Sequence, residues 1–112
     1  MNMHNSNVVY FSDNEYSSQL VADLREIPGI SLRECRGNDG RMDPATTALA
    51  REHGVILFHA RNNIDLDVAA VAAMRRSLGA DAVILALTDA STSLAEARLL
   101  NDAGVNDVLP DP

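Results

Sequence analysis

The chain has 112 residues, 46% hydrophobic and 22% charged, a balance that fits one globular domain and excludes a disordered segment. Its formal net charge of −7 argues against nucleic acid or an anionic membrane as the main partner, since neither offers positive charge to meet it. The single cysteine, Cys35, excludes an internal disulfide, and no apolar run approaches the roughly 20 residues of a membrane span.

Residues 1–7 are polar, carry no apolar signal segment and read as a disordered tail, which together with the lone cysteine predicts a cytoplasmic protein. Residues 8–112 read as the domain. The first strand is Val8-Val9-Tyr10-Phe11. Ser12 and Glu15 then stand at capping-box spacing before a helix that runs to about Ile27, with Tyr16, Leu20, Leu24 and Ile27 as its apolar stripe. Pro28-Gly29 stops it. In Ile30-Ser31-Leu32-Arg33-Glu34-Cys35, apolar and polar residues alternate, which predicts a half-exposed edge strand. Asp43-Pro44 opens a short second helix over 45–53.

Val55-Ile56-Leu57-Phe58-His59 is the most informative stretch. A continuous apolar run marks a strand buried on both faces, and this one ends abruptly in an ionisable side chain. A third helix over 65–78 places Val68, Val71, Met74 and Leu78 on one face. Ala82 to Leu87 is a second continuous apolar strand. Ser93 and Glu96 again have capping-box spacing, and the fourth helix they open ends at Gly104. Asp107-Val108-Leu109 is a brief fifth strand. The helix-stopping glycines fall at 29, 54, 79 and 104, each 25 positions after the last. That cadence of helix–strand units predicts an α/β three-layer sandwich. Its core is a five-stranded parallel sheet of flavodoxin-like order 2-1-3-4-5, with no fifth helix in the sequence to follow the last strand.

In such sheets chemistry sits past the carboxyl ends of the strands. The residues found there resemble those of response-regulator receiver domains, which are CheY-like. The resemblance is carried by Val8 to Asp13, Val55 to His59, Ile84 to Thr88 and, most specifically, Ala103-Gly104-Val105-Asn106-Asp107-Val108-Leu109-Pro110-Asp111-Pro112. In that family two acidic residues hold Mg²⁺, an aspartate accepts a phosphoryl group, and a hydroxyl and a lysine bind it. The resemblance places Ser12 and Asp13 at the acidic pair, His59 at the acceptor, Thr88 at the hydroxyl and Asp111 at the lysine. Only Asp13 and Thr88 match. One carboxylate does not make a cage for a hard cation, imidazole nitrogen suits Mg²⁺ poorly, and Asp111 repels phosphate. Val108 also stands where receivers carry an aromatic ring that swings on phosphorylation. The Leu-Pro-x-Pro end further resembles the degenerate receiver that precedes a ParA/MinD-like ATPase domain in pilus-assembly proteins of the TadZ/CpaE type.

The expectation is therefore a degenerate, non-catalytic pseudo-receiver of a signalling or localisation protein, with no cofactor and no metal. It would act by protein–protein contact or dimerisation outside ordinary two-component phosphorelay. The resemblance places the contact surface on the side of the fourth helix and fifth strand, at Ala97, Leu100, Asn101, Asn106, Asp107 and Val108. Two alternatives stand beside it: a phosphorelay receiver with an unconventional acceptor, His59 or Asp13, and a small flavodoxin-like ligand-binding domain or enzyme. For single residues the plainer readings are structural. His59 is then a strand-end histidine bonded to Asp13 or Thr88, Asp13 is a helix cap, and Asp65 and Asp67 meet the helix dipole. Arg75-Arg76 is then a solvated helix face, and Cys35 a packing residue.

Overall fold

The computed structural model describes residues 6–12, 19–36, 47, 48, 50, 51, 55–60, 63–88 and 91–110. Five strands form one parallel sheet: β1 (Ser6–Ser12), β2 (Ile30–Arg36), β3 (Val55–His59), β4 (Val83–Thr88) and β5 (Asp107–Pro110). Their order is β2-β1-β3-β4-β5, as the element pattern predicts. The helices are α1 (Gln19–Arg25), α3 (Ile64–Leu78) and α4 (Leu94–Ala103), with residues 47, 48, 50 and 51 helical between β2 and β3, here called α2. Ser6 and Asn7, expected in the tail, are strand: they pair with Ile30 and Ser31. Asp13 and the Ser12–Glu15 capping box, Tyr16, the Asp43-Pro44 cap and Asp111 lie outside the described residues.

The period of two in each strand sorts the core into two layers. On one face Val9, Phe11, Ile56, Phe58, Ile84 and Ala86 pack against Val71, Met74 and Leu78 of α3, Leu100 of α4 and Ala50 of α2. On the other, Val8, Tyr10, Leu57 and Leu87 meet Leu24 of α1. Ile27, expected on the buried stripe of the first helix, lies in the turn beyond α1 and is exposed. On the α1 side of β4 and β5, Leu87 is fully buried, whereas Leu85 and Leu109 are half-buried and Val83 is 37% exposed.

Arg75 is not a solvated residue. Its guanidinium makes five hydrogen bonds, one for each N–H it owns. Nε donates to the Gly104 carbonyl at 3.1 Å, Nη1 to those of Gly79 at 2.9 Å and Ala82 at 2.7 Å, and Nη2 to Gly104 at 2.6 Å and to Asn106 Oδ1 at 2.8 Å. Asn106 joins this clamp to the sheet. Its Oδ1 also accepts the Ile84 N–H at 2.8 Å, while its own N–H donates to the Ile84 carbonyl at 2.7 Å. One residue thus supplies the start of the β4–β5 ladder before β5 begins.

Gly104 fits this arrangement because it has no side chain. Its φ is +138°, and a Cβ there would stand 3.0 Å from Arg75 Cβ and 3.3 Å from Nε. Gly79 has φ +86° with open space around it. Gly104→Ala should lower unfolding stability by about 3 kcal/mol through strain and overpacking together, against about 1 kcal/mol for Gly79→Ala, which meets strain alone. Urea denaturation midpoints of the two variants check the order. Equal losses would mean that the Arg75 contact carries no weight.

Candidate functional site

The carboxyl ends of β3 and β4 bring His59 and Thr88 to the same edge of the sheet, but not together. In the β3–β4 register His59 pairs with Leu87, so Thr88 stands one step further and points to the opposite face. His59 lies on the α1 side. There its Nδ1 is 2.6 Å from the phenolic oxygen of Tyr10, with the rings tilted at 50° and their centroids 6.0 Å apart. The phenol donates when Nδ1 carries no proton. Tyr10 is 2% exposed and His59 half-buried, so this bond sits at the margin of the core. Tyr10 is a partner of His59 that the sequence reading did not name; Asp13, which it did name, lies outside the described residues.

Thr88 faces α3 and α4 and is 4% exposed. It borders a small cleft of about 220 Å³, open mouth included, with Asn63 and Asp67 of the α3 start, Thr92 and Glu96 of the α4 start, and Leu100 beneath. Both helix starts are capped as the sequence allows. The Asn63 side chain accepts the Leu66 N–H at 3.3 Å, and Ser93 and Glu96 complete the capping box at 3.1 and 3.0 Å. Asp67 stands in the first turn of α3, as expected, and is buried there. It is 2% exposed, and its carboxylate accepts the Asn63 N–H at 3.3 Å. Helical spacing carries the signal for this: 67, 71, 74 and 78 fall on one stripe, so a carboxylate at 67 must point inward.

The chemistry implied by the receiver resemblance needs acceptor and hydroxyl on one phosphoryl group. Here the His59 imidazole is bonded to Tyr10 on the α1 side, whereas Thr88 faces the α3/α4 side. No group of three or more His, Cys, Asp or Glu among the described residues is placed to hold a metal ion. No helix among them is long and apolar enough to cross a membrane.

The expected contact surface divides. Asn101 and Asp107 are exposed, and Ala97 and Val108 are half-buried, Val108 against the core on the α3/α4 side. Leu100 is 1% exposed and belongs to the core, so it presents nothing to a partner. The Asn106 side chain is spent in the Arg75 clamp.

No family model and no curated protein matches this sequence. Solved structures match its fold. The pilus assembly protein CpaE from Caulobacter crescentus CB15 is similar at a TM-score of 0.68 and 8% identity, over 96% of this chain and 82% of that one. A protein described as pilus assembly-related, from Burkholderia pseudomallei K96243, is similar at 0.71 and 18% identity, over 98% and 81%. A protein described as a CpaE2 pilus assembly protein, from Sinorhizobium meliloti 1021, is similar at 0.63 and 12% identity, over 95% and 88%. Such identities carry a likeness of fold alone.

The Tyr10–His59 bond has a spectroscopic consequence. Tyr10→Phe removes the phenolic partner of a half-buried ring nitrogen at a cost of about 1 kcal/mol. It should also shift the His59 imidazole ¹⁵N resonances as the tautomer balance changes. Unaltered ring resonances would show that the bond does not hold the ring.

Proposed function

We propose that this chain is a receiver-fold interaction module that works without aspartyl phosphorylation, within the assembly or localisation apparatus of a pilus. The separation of His59 from Thr88 carries the reading: the acceptor position is bonded to Tyr10 on one face, and the hydroxyl stands on the other. The kind of partner is suggested by the three fold neighbours, each described as a pilus assembly or pilus assembly-related protein. On this reading the module is cytoplasmic and non-catalytic, and it acts in the same parent chain as a ParA/MinD-like ATPase domain. It contacts a second copy or another protein through the α4–β5 side, where Asn101 and Asp107 are outermost.

Titration with Mg²⁺ and then beryllofluoride, a phosphoryl mimic, followed by amide-resolved NMR, should leave His59, Ala60 and Thr88 unmoved at millimolar concentrations. Shifts that begin there and spread into α4 would replace the reading with an unconventional phosphorelay receiver. For the contact surface, Asn101→Lys should lower the associated fraction in multi-angle light scattering while leaving the fold intact. Association that persists unchanged would move the interface away from α4.

A further inference from the structure

We propose that the cleft between the N-terminal ends of α3 and α4 receives the side-chain carboxamide of a glutamine or asparagine carried by a partner protein. This rests on the interaction-module reading and adds the chemistry of its partner. The Thr88 hydroxyl borders the cleft, is 4% exposed, and makes no hydrogen bond among the described residues. Buried hydroxyls in folded proteins are nearly always bonded, so one that is not points to a ligand it serves.

The groups left uncommitted in the cleft select that ligand. Asp67 is bonded to Asn63 and has a further partner, so it is engaged already and takes no part. Three neutral groups remain on the walls: the hydroxyls of Thr88 and Thr92, and the amide nitrogen of Asn63, whose oxygen alone is engaged, by the Leu66 N–H. Each of them can donate. Glu96 accepts the Ser93 N–H through Oε1, and its other oxygen can accept a second donor. Donors beside an acceptor call for a ligand that carries both functions. An anion answers the donors but meets the charge of Glu96. A cation answers Glu96 but faces the hydrogens of the Asn63 amide. A primary carboxamide answers both, and it brings no net charge.

Geometry then separates a side chain from a backbone. A trans peptide points its N–H and its C=O in opposite directions, whereas a primary carboxamide carries one N–H on the same side as its oxygen. The floor of the cleft has room for one water-sized group, which a carbonyl oxygen fills while the nitrogen stays in the mouth. Leu66 and Leu94 stand in the first turns of the same two helices and are exposed. They offer apolar surface to the stem of the side chain and to its flanking residues, which favours a carboxamide held in a protein over a free amide.

The test is a titration of the full chain with a blocked peptide, acetyl-Ala-Leu-Gln-Leu-Ala-methylamide, followed by amide-resolved NMR. The controls replace its glutamine by glutamate, the isosteric anion, and by methionine, an apolar side chain of similar length. Saturable shifts at Asn63, Thr88, Thr92 and Glu96 are expected with the glutamine peptide alone. Thr88→Val, which keeps shape and loses the hydroxyl, should weaken binding about tenfold. Should that variant not fold, Asn63→Ser keeps the cap of α3, removes the amide and should weaken binding by a similar factor. No shift at millimolar peptide would mean that the hydroxyl serves water alone. Equal shifts with methionine would mean that only the apolar rim binds, and stronger shifts with glutamate that the cleft takes an anion. Each of these overturns the site, as does an affinity that neither variant alters. A silent peptide with silent beryllofluoride removes this cleft alone and leaves the interaction-module reading standing. A response to beryllofluoride removes both.

Discussion

One guanidinium ties together the three pieces of chain that meet at the end of the sheet away from His59 and Thr88. Arg75 reaches from the last turns of α3 to the residue before β4 and to the loop between α4 and β5, and each of its N–H groups has an acceptor there. A lysine could not replace it, since an ammonium has three donors at a point and no planar fork to span separate carbonyls. Two of the carbonyls it collects, those of Gly79 and Gly104, are at helix C-caps, where C=O groups are left without intrahelical partners. Through Asn106 the same cluster sets where β5 begins against Ile84, and so fixes the register in which Leu87 meets Leu109. The opening of the most specific stretch of the receiver resemblance, at Gly104 and Asn106, is thus a structural device. Gly104 clears space for the arginine, Asn106 completes the ladder, and neither faces the end of the sheet where chemistry would sit.

That register decides what the opposite end can do. Because side chains alternate along a strand, a single-residue offset changes which face a residue serves. His59 pairs with Leu87, and Thr88 follows it, so the two polar residues at the sheet's carboxyl edge are divided between the α1 layer and the α3/α4 layer. The α1 layer is where Tyr10 waits with its hydroxyl, and it takes the imidazole. The α3/α4 layer is where two helix starts and two carboxylates gather around a hydroxyl with no partner among the described residues.

The local patterns made the architecture legible. Strands β3 and β4 announce themselves as continuous apolar runs, β2 as an alternating one, and the capping box at Ser93 and Glu96 forms as its spacing predicts. The glycines at 79 and 104 adopt the positive φ that ends a helix. Two of the misreadings concern contacts between residues distant in sequence. Tyr10 and His59 are 49 positions apart, and Arg75 and Asn106 are 31 apart. No periodicity links them, so the phenol beside His59 was not foreseen and Arg75 was read as solvated. Leu100 and Asp67 are different, because helical spacing does show both turning inward. Leu100 was placed on the surface by resemblance, which carries an outline of a surface without the rotation of this particular helix. Asp67 was read by its charge and position in the first turn, and its place on the stripe was not weighed.

A receiver that switches needs two packings close in free energy and a ligand that prefers one of them. Here the elements that would move are held. Val108, where the resemblance puts the swinging ring, is a β-branched residue packed against the core, restricted at χ1 and with no aromatic plane to turn. His59 is committed to a nearly buried phenol, and the lower edge of β5 is pinned by Arg75 and Asn106. On the proposed reading a single packing is favoured throughout, so that a partner finds the same surface at all times. That is the property required of an interaction module and denied to a switch. On the proposed reading, the residues that lost phosphoryl chemistry gave the fold rigidity, and recognition passes to surfaces that do not depend on motion.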